Sequence, residues 1–76
     1  MDNVNDIIDM LKDRLVEATR KTNRIEADIY GDDAHHYTFA ELYEAIELEE
    51  QLRSILCAIT GSELLWCEGD QVFIER

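Results

Sequence analysis

The residues best able to bind a metal ion occur together in one short stretch, Asp32-Asp33-Ala34-His35-His36. Carboxylates and imidazoles are ligands for divalent cations, but adjacent residues seldom converge on one ion without a further ligand from elsewhere. The stretch has neither the spacing of an EF-hand nor that of the HExxH helix. The sequence therefore predicts a solvated turn here, with no metal and no cofactor.

The candidate nucleophiles are the two cysteines, Cys57 and Cys67. Neither is adjacent to a histidine or another base, and the acidic surroundings disfavour the reactive thiolate. Both fall in apolar stretches, so they are expected to be buried core residues and not catalytic ones. No Ser/His/Asp set and no glycine-rich phosphate loop can be assembled from the remaining residues. The sequence thus predicts no catalytic residue and a protein that is not an enzyme.

The charge of the chain is distributed very unevenly. The net charge is -11, from 18 acidic and 7 basic residues. Acids and bases balance within residues 1–25, whereas residues 26–76 contain thirteen acids and only Arg53 and Arg76 as bases. Nine acids and no base lie between Glu26 and Glu50. Such a field repels nucleic acid and membrane surfaces and attracts basic partners.

Acidic residues of the second predicted helix are the first candidate for a binding surface. Four of them follow an i, i+3 spacing that winds slowly round the helix, and we call these four the acidic ridge. One interpretation is a solvated face that aids solubility; the other is a docking surface for Lys and Arg that imitates a phosphate backbone. The candidate residues are the ridge itself, Glu41, Glu44, Glu47 and Glu50, together with Glu49, Asp32 and Asp33.

A second candidate surface is the aromatic pair Trp66 and Phe73. Two apolar runs flank Gly69-Asp70, which predicts a β-hairpin with a two-residue turn. In this register Trp66 lies opposite Phe73 on one face, where the pair either stabilises the fold, contacts a second subunit or anchors a foreign partner. The other face carries two further cross-strand pairs, Cys67 with Val72 and Leu65 with Ile74.

A long first helix is predicted by apolar residues that recur at alternating intervals of four and three. This heptad spacing implies a helix of about 26 residues, roughly 40 Å long. Asn3 is the expected N-cap, and Gly31 the expected stop in a left-handed conformation. The polar seam residue Thr22 either fixes the register or bonds its own preceding turn. The seam is Val4, Ile8, Leu11, Leu15, Ala18, Thr22, Ile25 and Ile29.

The second helix is predicted to begin at the capping box Thr38-Phe39-Ala40-Glu41 and to end before Gly61. Its apolar residues fall on two nearly opposite sides at ~100° per residue. A single straight partner helix should then cover only one half, which leaves the other half for the C-terminal segment or for a second subunit. A homodimer is therefore expected. The two apolar sets are Phe39, Leu42, Tyr43 and Ile46, and Leu48, Leu52, Ile55, Leu56 and Ile59.

Together these patterns predict a mainly α fold, an antiparallel helical hairpin of two long helices followed by a short C-terminal β-hairpin. The chain is expected to form a single domain over residues 1–76, with helices 3–30 and 38–60, a loop 31–37 and a hairpin 63–75. The N-terminus lacks the pattern of a signal peptide, and no apolar run approaches the ~20 residues of a membrane span. A cytoplasmic location is expected, the host cytoplasm if the chain is phage-encoded.

In its size, its acidity and its lack of catalytic groups, the sequence resembles small phage-encoded inhibitors, including anti-CRISPR proteins and DNA mimics. This likeness is one of type, and it assigns no residue. It implies a protein-binding module that blocks a basic, nucleic-acid-binding surface of a host protein, without contacting nucleic acid or membrane itself. The alternative hypothesis is a self-associating structural or regulatory helical module with no inhibitory role.

Overall fold

The computed structural model describes residues 4–31, 36–69 and 71–75. It contains helix α1 (Val4–Ile29), helix α2 (Phe39–Thr60) and the strands β1 (Leu64–Glu68) and β2 (Gln71–Glu75). The two helices pack along each other, and the two strands form an antiparallel hairpin. The predicted fold class, two long helices followed by a short C-terminal hairpin, is confirmed. None of the helices in these ranges is long and apolar enough to cross a membrane.

The predicted seam of α1 is the face that contacts the rest of the molecule. Leu15, Ala18, Thr22 and Ile25 are buried, and Leu11 is half-buried. The Thr22 hydroxyl donates a 3.0 Å hydrogen bond to the Ala18 carbonyl one turn earlier. This bond satisfies the hydroxyl within the helix, so the polar residue is tolerated in an otherwise apolar seam.

A single buried stripe runs along α2, and the prediction of two opposite apolar sides is wrong. The stripe combines residues from both predicted sets with two residues from neither, Ala45 and Glu49. Its spacing of three and four residues continues along the helix, so α1 contacts α2 in both halves. Large side chains such as Phe39 and Leu48 are left exposed. The stripe is Leu42, Ala45, Glu49, Leu52 and Leu56.

The core has two parts, one at each end of the helical pair. The smaller part, at the end where the helices are connected, contains Ile25, Leu42 and Ala45. The larger part lies at the other end, where the β-hairpin packs. It contains Leu15, Ala18, Leu52, Leu56 and Leu65. The hairpin therefore covers the end of the helical pair that is farthest from the connection.

The connection between the helices differs from expectation at Gly31. Helix α1 ends at Ile29, but Gly31 does not adopt the left-handed conformation predicted for it. Glycine is needed there for a different reason, because a Cβ at this position would lie 2.7 Å from the Ala27 carbonyl oxygen. The expected N-cap Asn3 lies outside the described residues.

The predicted start and end of α2 are confirmed. The Thr38 hydroxyl accepts a 3.2 Å hydrogen bond from the Glu41 amide, which satisfies one of the free amides of the first turn. Gly61 ends the helix in the left-handed conformation with φ 71°. Glycine adopts this conformation without steric cost, which lets the chain leave the helix and enter β1.

The β-hairpin has the predicted register. Leu65 pairs with Ile74, and Cys67 pairs with Val72. All four side chains are buried or half-buried; Leu65 belongs to the larger part of the core, and Val72 and Ile74 pack against it. An isolated two-stranded hairpin is marginal in water, so this inner face supplies the burial that stabilises it.

Candidate functional site

The acidic ridge is exposed to solvent from its first residue to its last. Glu41, Glu44, Glu47 and Glu50 are all exposed, as the sequence predicts. Each i, i+3 step rotates by about 60° round the helix, so Glu41 and Glu50 lie on nearly opposite sides. A flat partner surface can therefore contact only part of the ridge at one time.

Glu49 does not belong to the binding surface, which corrects its assignment from the sequence. The residue is only 6% exposed, because it lies in the buried stripe of α2 that faces α1. Its carboxylate is 3.5 Å from the Arg53 guanidinium, one turn later on the same helix. A carboxylate that is buried and already paired cannot contact an external base, so the role of Glu49 is internal.

Basic residues of α1 lie near the start of the ridge, where they line two adjoining shallow cavities on one side of the helical pair. A cavity of about 290 Å³ is lined by Lys21 together with Glu41 and Glu44. The next, of about 270 Å³, is lined by Arg14, Lys21 and the exposed Leu48. The early part of the ridge thus lies beside positive charge of α1.

The later part of the ridge lies near one base of α2, Arg53, which follows Glu50 by three residues and is paired with the buried Glu49. Glu47 and Glu50 line a different, open depression with Ile55 and uncharged polar residues. Within the described ranges, no lysine or arginine nitrogen lies within 4.0 Å of the carboxylates of Glu44, Glu47 or Glu50. The uncompensated negative surface is therefore centred on Glu47 and Glu50.

The aromatic pair of the hairpin lies away from the ridge. Trp66 and Phe73 stack with ring centroids 5.5 Å apart and an interplanar angle of 19°, on the outer face of the hairpin. The Trp66 indole nitrogen donates to the Glu68 carboxylate at 3.1 Å. The two side chains are 36% and 38% exposed, so part of their surface stays available. The ridge and the aromatic pair are thus two separate candidate surfaces. Asp32 and Asp33, which were also predicted to bind a partner, lie outside the described residues.

Asp28 is a structural anchor that the sequence analysis missed. Its carboxylate accepts hydrogen bonds from the backbone amides of His36 (2.8 Å) and Tyr37 (2.9 Å), and it lies 3.2 Å from the His36 ring. Burial raises the pKa of Asp28, but the bonds from Tyr37 and His36 together lower it more, so the pKa lies below its ordinary value. An acid in the last turn of a helix interacts unfavourably with the helix dipole. This unfavourable position was the feature of the sequence that could have pointed to a structural role for Asp28.

A cluster of three exposed aromatic rings was also missed. Tyr30 follows α1, while Phe39 and Tyr43 lie in the first turns of α2. The Tyr30 and Phe39 rings meet edge to face at 6.3 Å, and the Phe39 and Tyr43 rings lie 6.4 Å apart. The helical pattern had grouped Phe39 and Tyr43 with the buried Leu42 on one apolar side. We call Tyr30, Phe39 and Tyr43 the aromatic cluster.

The remaining reactive side chains do not form a site in the described part of the chain. Cys57 and Cys67 are free thiols and are half-buried, less enclosed than the sequence predicted. The Cys67 thiol donates to the Gly69 carbonyl at 3.8 Å. No group of three His, Cys, Asp or Glu side chains could hold a metal ion among the described residues, and three members of the Asp/His stretch, Asp32, Asp33 and His35, fall outside them.

The fold defines the chain as a mainly α protein in which a β-hairpin packs on one end of a helical hairpin. No protein-family model, no curated protein and no solved structure matches the chain.

Proposed function

We propose that this protein is an acidic protein-binding module that occupies a basic, nucleic-acid-binding surface of another protein, in the manner of a phage-type inhibitor. The carboxylates of Glu44, Glu47 and Glu50, which are exposed and have no salt-bridge partner among the described residues, carry this proposal. They belong to the part of the chain that holds the entire net charge of -11. A negative surface of this kind attracts basic partners and repels nucleic acid and membranes.

The spacing of the ridge supports imitation of a nucleic acid. Three residues of α-helix rise about 4.5 Å along the axis. One strand of B-DNA carries one phosphate for about every 3.4 Å of axis. The linear charge density of the ridge is therefore about three-quarters of that of a single DNA strand. A groove that binds phosphates with Lys and Arg offers the complementary charges.

The experiment replaces Glu44, Glu47 and Glu50 together by Lys. The target is a nucleic-acid-binding protein captured from a bacterial lysate on the immobilised parent protein and then purified. We expect the parent to bind it with an affinity that falls steeply with salt, and to displace its labelled DNA in fluorescence anisotropy. The triple variant should lose at least about 100-fold in affinity, because like-charge contacts at an interface cost several kcal/mol.

A matched control separates the ridge from net charge. Replacement of Asp9, Asp13 and Glu17 by Lys changes three exposed acids of α1 and, like the ridge variant, moves the net charge from -11 to -5, since each substitution adds two charges. This control should keep most of the affinity. Circular dichroism should show both variants folded, since exposed charge changes cost no more than about 0.5 kcal/mol each. Equal binding by parent and ridge variant at low salt, or simultaneous binding of DNA and parent, contradicts the proposal.

A second candidate function, a self-associating structural or regulatory module, is favoured by a different observation. Leu48, Ile55 and Ile59 are exposed on one side of α2, where Arg53 is the one charged residue in residues 51–62. Two copies can meet there with less repulsion than at the acidic ridge. Sedimentation velocity should then show a homodimer that Ile55→Lys dissociates. A strict monomer at high micromolar concentration excludes this candidate.

A further inference from the structure

The aromatic cluster is unusually exposed for side chains of its size. Tyr30, Phe39 and Tyr43 are 69%, 53% and 65% exposed, although the centroid of the Phe39 ring lies 6.3 Å and 6.4 Å from those of the two tyrosine rings. Solitary exposed apolar residues are normal, but contiguous ones mark interaction surfaces, and aromatic side chains are enriched at interfaces. The cluster also bridges the two helices, because Tyr30 follows α1 and the other two rings belong to α2.

The cluster adjoins the uncompensated part of the acidic ridge. At about 100° per residue, Phe39, Tyr43, Glu47 and Glu50 lie within about 80° of arc on α2. This arc lies well away from the buried stripe, and all four side chains are exposed. Glu47 is one turn after Tyr43, a spacing at which side chains on a helix are neighbours. Rings and carboxylates thus form one surface, which we call the aromatic–acidic face: the aromatic cluster with Glu47 and Glu50.

The charge of this face selects among possible occupants. No base occurs between Glu26 and Glu50, so nucleic acid is repelled even though its bases can stack on exposed rings. A second copy would bring the same carboxylates against each other. A guanidinium group fits both features, because it stacks on aromatic faces and pairs with carboxylates through a planar fork. An ammonium group is more strongly hydrated and lacks this planar stacking.

We propose that the aromatic–acidic face binds an arginine-rich segment of a partner protein, with guanidinium groups stacked on Tyr30 and Tyr43 and paired with Glu47 and Glu50. The inference rests on the proposed function and specifies its contact surface and its partner chemistry. It makes arginine, and not positive charge alone, the feature that is recognised.

The test measures binding of fluorescent nona-arginine and nona-lysine peptides to the parent protein by anisotropy, between about 50 mM and 200 mM salt. Both peptides should bind with salt-dependent affinity, and the arginine peptide should bind at least about two- to fivefold more tightly, as expected for one cation–π contact at an exposed site. Tyr43→Leu keeps apolar surface but removes the ring. It should lower the preference for arginine by about two- to fivefold, the contribution of one ring, because Tyr30 keeps its own ring, and it should leave lysine-peptide binding nearly unchanged.

Two further variants complete the test. Glu47→Gln should weaken both peptides to a similar extent, because it removes charge and leaves the rings in place. Phe73→Leu removes an exposed ring of the hairpin, away from the face, and should change neither affinity. Circular dichroism verifies that each variant is folded.

The outcomes separate the inference from the function on which it rests. Salt-dependent binding that is sensitive to Glu47→Gln but shows no preference for arginine, or a preference that Tyr43→Leu does not lower, overturns the inference and leaves the proposed function standing. A preference that depends on Phe73 places recognition on the hairpin and also overturns it. If neither peptide binds at low salt, the inference and the proposed function both fail. If Tyr43→Leu dissociates a dimer in sedimentation, a second copy occupies the face and the inference is wrong.

Discussion

Two leucines of α2 that the helical pattern placed on the same side differ completely in burial. Leu56 is 0% exposed and belongs to the larger part of the core, whereas Leu48 is 47% exposed. Substitution of either by Ala makes the same chemical change in the interior of the same helix. The change in helix propensity therefore cancels between the two variants, and the difference in stability reports burial alone.

The expected losses follow from the exposed fractions. Leu→Ala removes three carbon atoms, each worth about 0.8 kcal/mol when fully buried, which gives about 2.4 kcal/mol. For Leu56→Ala the cavity left behind adds to this, so the free energy of unfolding should fall by about 2.7–5 kcal/mol. Leu48 already exposes about half of its surface and would leave no enclosed cavity, so Leu48→Ala should cost about 1 kcal/mol.

Urea and thermal unfolding followed by circular dichroism at the helix band measure this difference. The two variants should differ by at least about 1.5 kcal/mol, which corresponds to about 6 °C or more in Tm for a domain of this size. Equal losses would refute the single buried stripe and restore the two-sided helix predicted from the sequence. A concentration-dependent loss for Leu48→Ala would instead locate Leu48 in a dimer interface.

Three further predictions concern stability. Replacement of the buried Glu49 by Met should raise the free energy of unfolding by about 1–2 kcal/mol in urea titrations, because Arg53 is exposed enough to stay hydrated without its partner. As the control, replacement of the exposed Glu50 by Met should change the free energy of unfolding by less than about 0.5 kcal/mol. Because the pKa of Asp28 is lower in the folded protein, its stabilising contribution is present above the ordinary value of 3.8 and is lost as the pH falls through the lowered value. Asp28→Asn should therefore make the loss of stability with falling pH less steep. An unchanged dependence of stability on pH in the acid range would contradict this role. Gly31→Ala should lower the free energy of unfolding by about 1–2 kcal/mol, since the added methyl group would meet a backbone carbonyl; a neutral result in the same assay would show that the connection adjusts freely.

Local chemistry explains why so much of the fold could be predicted. A cap such as Thr38, a glycine such as Gly61 and a cross-strand pair such as Trp66 and Phe73 are each decided by residues close to one another in the sequence or across a tight turn. Gly31 shows the limit of such reasoning. A glycine at the end of a helix suggests a left-handed residue, but here it is required because the backbone lies close to the Ala27 carbonyl, which the residue type alone does not reveal.

The candidate site was predicted only in part for a related reason. The sequence identified the exposed carboxylates of Glu44, Glu47 and Glu50, since charged residues stay in water unless something compels their burial. It did not identify the aromatic cluster, because Tyr30 and Phe39 meet only when the connection brings the end of α1 to the start of α2.

By itself, the sequence determined the helices, the hairpin register and the segregation of charge, because periodicity, capping and turn chemistry act over a few residues. Only the tertiary structure decided which side of α2 is buried. The pairing of α1 with α2 buries Ala45 and Glu49 in the stripe of α2. Ala45 is small and lets the two helices approach closely, and the carboxylate of Glu49 is tolerated there because Arg53 pairs with it. That choice leaves Phe39 and Tyr43 exposed beside Glu47, although the helical pattern had grouped these rings with the buried Leu42.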